Sequence, residues 1–370
     1  MTSLKEIAQK FSKLDESLMQ CRLGRPGPRP RVIIDTDTAN EIDDQYAVAW
    51  ALLSPERLAL EGVTAEPFSF RHQKEGLHSA VAALKRGAAE NAFEENFMGA
   101  FGGWAERLID AGRGAEDVHF TEPDEGEKLS YEEILRVFDK CGVPSEGKVF
   151  RGSPGYLESF DAPIDTPAAR FIIEQARKRS EGPVYILAMG AVTNIASALL
   201  MAPDIIDNIV VVWTSAFPSY APFSNQPSLN LVQDPLASQL LFECGVPHVY
   251  LPGYHVGAQL MISKPEMEKF VKGKGAIGDY LWHLYTHNPL HTKYQINEPD
   301  TKTWVIWDII NVAWLFDPDY VTVHMTSSPE LTDELYWKHE PGRHKMLEAY
   351  DVNRDAIFED FYRTLEKAPG

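Results

Sequence analysis

The chain has 370 residues, 44% of them hydrophobic, and a formal net charge of −19. That length and apolar content are enough for a large buried core in one or two domains. The acidic balance excludes wrapping nucleic acid or sitting on an anionic membrane, because both need a basic patch to displace counterions and no local run of Lys or Arg supplies one.

Cys21, Cys141 and Cys244 are far apart and odd in number. They suit neither a disulfide framework nor a zinc site and fit a reducing compartment. Lys5, Lys10 and Lys13 interrupt the start of the chain, which has no apolar signal core. No stretch approaches the roughly 18 consecutive apolar residues that span a bilayer. A soluble, cytoplasmic protein is expected.

Leu4, Ile7, Phe11, Leu14 and Leu18 recur at helical spacing, which predicts one amphipathic helix over residues 3–20. A Pro/Gly/Arg connector follows to residue 30. Residues 1–30 are thus read as an N-terminal helix and connector, and 31–370 as a single α/β domain. In that domain the β-branched run Val32 to Ile34 leads into Asp35 and Asp37, then Asp43 and Asp44, then an apolar helical pattern. Read as strand, loop and helix, this places four carboxylates at the carboxyl end of a strand, where open α/β sheets bind ligands. Carboxylates so close repel one another, and a divalent cation relieves the repulsion. An oxygen-only set suits Ca²⁺, with Mg²⁺ the second choice. The plainer reading, an Asp capping the helix, needs one carboxylate and not four.

Further on, strands are predicted at residues 58–64, 148–153, 183–188, 209–213 and 249–251, and helices over 72–88, 131–141 and 166–178. Thr166 is the cap of the last of these, with Pro167 at its first position. Residues 89–128 are rich in Gly and acidic residues with poor periodicity, and are read as a mobile insertion or lid. The C-terminal part carries a predicted helix at 307–315, strands near 320–325 and 334–338, and a last helix at 352–366. Alternating strands and helices predict an open, doubly wound, largely parallel sheet covered on both faces.

Four segments in this order resemble the inosine–uridine-preferring nucleoside hydrolases. They are Ile33-Ile-Asp-Thr-Asp-Thr-Ala-Asn-Glu-Ile-Asp-Asp44, Met189-Gly-Ala-Val-Thr-Asn194, Asn230-Leu-Val-Gln-Asp-Pro235 and Trp307-Asp-Ile-Ile-Asn311. The first is similar to the family's Asp-x-Asp…Asp-Asp signature with two extra loop residues. The resemblance implies hydrolysis of an N-glycosidic bond by a homodimer or homotetramer that binds Ca²⁺ and a nucleoside-like substrate. By position, Asp37 is the general base and a metal ligand. Asp44, Asp308 and the carbonyl of Met189 complete the metal set, Asp43 and Asn230 hold ribose hydroxyls, and Asp35 braces the loop from behind. The chain departs from the pattern on the substrate side. Trp307 stands where a histidine is frequent, Ser228-Leu229 where Glu-Phe is usual, and no Gly-Asn follows the second strand. Trp307 can stack on a base but cannot protonate one, so His283, Tyr285 and His287 are candidate acids, with Trp307 as a base contact.

Two other readings compete. Asp35 and Asp37 fit the nucleophile and acid of a haloacid-dehalogenase-like phosphatase, which leaves Asp43 and Asp44 without a role. A relative that keeps the cation loop but has lost catalysis fits as a ligand-binding protein.

Overall fold

A computed structural model describes residues 2–295 and 303–369. In chain order its strands are β1 (Arg31–Thr36), β2 (Ala59–Ala65), β3 (Val149–Phe150), β4 (Val184–Ala188), β5 (Ile209–Ser215), β6 (His248–Pro252), β7 (Met261–Ile262), β8 (Trp304–Val305), β9 (Val321–Ser327), β10 (Glu330–Leu331), β11 (Trp337–Lys338) and β12 (Lys345–Val352). The main sheet runs β3-β2-β1-β4-β5-β6-β12-β9. Every pair in it is parallel except β12 with β9 at the edge. The pairs β7–β8 and β10–β11 form small antiparallel ribbons. This is the doubly wound, largely parallel sheet expected from the sequence.

The chain builds outward from β1 through β2 to β3, then returns to add β4, β5 and β6 on the other side. The order therefore reverses between β1 and β4, and loops leaving their carboxyl ends part there to form a crevice. The central strands are buried on both faces. Val32, Ile34, Val210 and Val212 face one apolar cluster, while Ile33, Val211 and Trp213 face another. That alternation explains why these strands read as unbroken β-branched runs. Among the described residues no helix is long and apolar enough to cross a membrane.

Three local readings are corrected. The expected helix over 3–20 is two short ones, Leu4–Ala8 and Glu16–Leu23. Ile7 and Phe11 belong to one apolar cluster, Met19 and Leu23 to the other. The chain breaks to pass between the two faces, and Asp15 restarts the helix by accepting from the backbone N–H of Leu18 at 2.8 Å. Residues 89–128 are not irregular. Asn91 caps a helix over Ala92–Asp110, and a second helix, Pro123–Lys140, begins well before residue 131. One of the segment's glycines is needed for packing: a Cβ at Gly126, in the second helix, would lie 2.0 Å from the Phe68 carbonyl oxygen. The strand expected near 334–338 is only β11, whereas β12, with charges scattered through it, was not anticipated. Thr166 does cap its helix, accepting from Ala169 N–H at 3.1 Å, with Pro167 following.

Candidate active site

The Asp loop leaves β1 at the switch point. Asn40 N–H donates to the Asp37 carbonyl at 3.0 Å, and Gln45 Nε2 donates to the Thr38 carbonyl at 2.6 Å, so the turn is tied at both ends. The helix Asp44–Leu52 then starts at Asp43, whose side chain makes no capping bond. Asp308, at the start of the helix Ile309–Phe316, likewise caps nothing. Both positions suit a cap, yet both carboxylates turn away from that task. Together with Asp44 they form a buried group whose ligand oxygens all lie within 4.8 Å of one another. Two oxygens each about 2.4 Å from one calcium ion can lie no more than about that far apart.

Segments far apart in sequence thus meet here. Asp37 is buried beside the group with neither carboxylate oxygen hydrogen-bonded. One oxygen each of Asp43, Asp44 and Asp308 is also buried and unpartnered. Thr36 Oγ1 holds the other Asp44 oxygen. Burial, then the charges of Asp44 and Asp43, raises the Asp37 pKa well above the ordinary carboxylate value. Asp44 is raised by burial and by Asp43, and Asp308 by burial, Asp43 and Asp44. Burial pushes Asp43 up to about 6, partly offset by the Asp308 carboxyl and the backbone N–H groups of Asp43, Asp44 and Trp307. Unpaired buried carboxylates of this kind cost free energy unless a proton or a cation joins them. The donor set, all hard oxygen, fits a divalent cation of the calcium or magnesium type.

The opposite wall comes from the ends of β4 and β5. Asn230 Nδ2 donates to the carbonyls of Met189 and Thr214, at 3.2 and 3.0 Å. Asn311 Nδ2 donates to the carbonyls of Ala188 and Val212, at 3.0 and 2.9 Å. A cavity of about 100 Å³ opens between these walls, lined by Glu41, Asp43, Ser228, Asn230, Tyr254 and Trp307, with Asp308 at its edge. The Trp307 and Tyr254 rings meet edge to face at 5.7 Å.

Asp35 sits behind the loop. Fully buried, it accepts from Asn194 Nδ2 at 3.0 Å and from Thr64 Oγ1. Asn194 also donates to the Ala65 carbonyl at 2.9 Å, so one amide joins β1, β2 and the start of the helix Thr193–Met201 that follows β4. An Asp35 enclosed in this way cannot reach a phosphoryl group, which removes the phosphatase reading. His283 and His287 stack on each other at 4.4 Å on an exposed helix end, and Tyr285 is buried beside Trp282. None of the three lines the cavity.

Sequence reasoning missed Glu41 and Glu66. Glu41 sits in the same loop and was passed over beside four Asp. Glu66 immediately follows a buried strand end, the same signal that marked Asp37. It accepts from Asn194 N–H at 2.8 Å, while burial and then Asp35 raise its pKa well above the usual range.

Known proteins share this chain's family and fold. The model of the inosine-uridine preferring nucleoside hydrolases matches residues 32–359. "Probable uridine nucleosidase 2" of Arabidopsis thaliana is 25% identical over 300 residues, 80% of each chain. The "Non-specific ribonucleoside hydrolase RihC" of Escherichia coli is 26% identical over 297 residues, 79% of this chain and 81% of that one. A solved purine-preferring ribonucleoside hydrolase from Gardnerella vaginalis shares the fold with a TM-score of 0.57 at 19% identity, covering 91% of this chain and 98% of the other. With a family match across nearly the whole chain and the acidic group assembled at the switch point, the protein belongs to the inosine–uridine preferring nucleoside hydrolase family.

Proposed function

We propose that the protein cleaves the N-glycosidic bond of a ribonucleoside or related N-ribosyl compound, releasing ribose and the free base, with Asp37 as general base. The observation that carries this reading is the set of buried, unpartnered oxygens of Asp37, Asp43, Asp44 and Asp308 beside a cavity at the switch point. Asp37, Asp44, Asp308 and the Met189 carbonyl are the residues that would hold the metal, which we assign as Ca²⁺ for its preference for many oxygen ligands. A bound calcium ion supplies an acidified water and a positive anchor for sugar hydroxyls. A carboxylate oxygen of Asp37 takes the proton of the attacking water, whose oxygen bonds to C1′. The bond from C1′ to nitrogen breaks with its electron pair leaving on the base, which takes up a proton from solvent water to become the free base, while Asp37 returns its proton to solvent. Positive charge gathered on the sugar is stabilised by the surrounding carboxylates.

Asn230 spends its Nδ2 on two carbonyls, which leaves Oδ1 to accept from a ribose hydroxyl, and Asp43 takes another. The Trp307 indole offers a face to the base and no proton at neutral pH. The test is release of reducing sugar from a panel of purine and pyrimidine nucleosides in the presence of calcium. Asp37→Ala is expected to lower the rate by about 10²- to 10⁴-fold, the usual contribution of a general base. Calcium binding with no sugar released from any nucleoside supports a ligand-binding relative instead. Full activity in Asp37→Ala overturns the assignment of the base.

A further inference from the structure

A second cavity, of about 380 Å³, opens beside the catalytic one, and among the described residues only Asn40 lines both. Phe68 and Phe70, after β2, form one wall; Leu129, on the helix Pro123–Lys140, and Leu290 and Lys293, on the helix Pro289–Lys293, form others. Two polar atoms of this lining are buried without a hydrogen-bond partner among the described residues, Lys293 Nζ and Asn40 Oδ1. The amine lies 3.0 Å from the centre of the Phe70 ring, with the Phe120 and Tyr294 rings at 5.8 and 5.6 Å. Aromatic faces attract a cation but do not replace a counter-anion. Burial holds the Lys293 pKa down to about 6. The other charged groups of the lining are engaged. Arg113 Nη2 donates to the Asp117 carbonyl at 2.7 Å, the Asp117 carboxylate accepts from the Gly114 N–H at 2.8 Å, and His119 pairs with Glu125 at 2.9 Å. His72 is held down to about 4 by burial and by Lys293, so it is neutral at pH 7. Lys293 is therefore the one cation of the lining that lacks an anion, and a single carboxylate completes it. The space suits a flat apolar body, since about 380 Å³ is more than twice the roughly 150 Å³ that holds one benzene.

We propose that this cavity is a second ligand site, separate from the nucleoside site, that takes a monoanionic aromatic carboxylate. The rings of the ligand lie against Phe68, Phe70, Leu129 and Leu290, and its carboxylate accepts from the Lys293 ammonium. Asn40 Oδ1 is free to accept from a donor on the rings.

The test titrates naphthoate and its neutral isostere naphthamide into the full-length protein by calorimetry, in phosphate and in Tris buffer near pH 7.5. The two buffers ionise with different heats, so the difference in binding heat counts protons. Naphthoate should bind about 10- to 100-fold more tightly than naphthamide, the worth of a hydrogen bond to a charged group. Its binding should take up close to one proton near pH 7.5, where the free amine is neutral and the bound one is charged. Uptake should fall towards zero near pH 5, where the amine already carries its proton. Lys293→Met keeps the apolar stem and should abolish both the preference and the uptake, while His72→Gln should keep both. Melting curves check that each variant is folded, and the acid–amide comparison and the proton count in the native protein need no variant. Pseudouridine, whose base is attached through carbon and resists hydrolysis, should leave naphthoate binding unchanged. Competition between the two would make the cavity an extension of the nucleoside site and overturn its being a second one. Equal affinity for acid and amide, no proton uptake near pH 7.5, or both signals persisting in Lys293→Met also overturns the proposal.

Discussion

Gly190 follows Met189 at the carboxyl end of β4 and faces the proposed base. A Cβ placed there would lie 2.9 Å from Asp37 Cγ and 3.1 Å from both Asp37 Cβ and Oδ2. Ordinary carbon contacts need about 3.5–4.0 Å, so the Asp37 side chain must retreat by roughly 0.5–1 Å. Gly190 is not in the left-handed region, so alanine meets no backbone obstacle and the effect of Gly190→Ala is steric alone. Overpacking of this size costs about 1–3 kcal/mol of stability, which leaves a chain with so large a core folded. Misplacing a reacting group by about 1 Å costs roughly 100-fold in rate. Gly190→Ala should therefore melt a few degrees lower, keep its circular dichroism, and release ribose roughly 100-fold more slowly at saturating substrate. Gly99→Ala serves as the control, since nothing lies within 4 Å of its added carbon. If Gly190→Ala turns over within twofold of the native protein, Asp37 is not held where the base must be, and its role falls.

Two other outcomes follow from the carboxylate group. Asp308→Asn should abolish calcium binding in calorimetry and, with it, sugar release; calcium affinity within threefold of native would show that the ion sits elsewhere. The chelated protein should also show an unusual dependence on pH. The folded pKa of Asp43, about 6, is above its unfolded value near 3.8, so the folded state binds the extra proton between them. The contribution of this group to stability is full below pH 4 and lost as pH rises through 6. Chelated native protein should lose stability from pH 4 to 7 relative to chelated Asp43→Asn, and calcium should flatten the difference. Parallel melting curves for the two chelated proteins would refute the carboxylate's perturbation.

The fold and half of the site were legible because each rests on local chemistry. A buried parallel strand must be apolar on both faces, so β1, β4, β5 and β6 announce themselves as β-branched runs. A loop that presents Asp37, Asp43 and Asp44 within eight positions has few other uses. Thr166 and Pro167 marked a helix start through groups that act on their own neighbours. The readings that failed depend on distant partners. Nothing near residue 12 tells that the chain must cross between two faces of a sheet. The glycine at 126 looks like a loop residue until the helix it belongs to is found packed against the Phe68 backbone. β12, between parallel β6 and antiparallel β9, keeps Lys345 and Asp351 exposed at its ends, and its central Glu348 is buried against Ser219, a partner far away in sequence. His283 and His287 share a stretch rich in His and aromatic residues, but only the packed helix shows that they are exposed and outside the cavity lining.

The same division explains why the cation half of the site is easier to read than the substrate half. The cation half is organised by repulsion: Asp43 and Asp308 begin separate helices, neither caps its own, and their carboxylates meet buried. A fold gains nothing by burying such charges unless a cation or protons join them, so the arrangement points to its ligand without reference to any relative. The substrate half is made of single residues contributed by several loops, Glu41, Ser228, Asn230, Tyr254 and Trp307, each compatible with many roles until the cavity groups them. Replacing one of these reshapes the cavity wall while the acidic group and the sheet beneath it persist. Divergence is therefore expected to concentrate in that wall. Trp307 and Asp308 stand side by side at the start of the late helix, so a change at the first alters the cavity wall while the second stays in the acidic group.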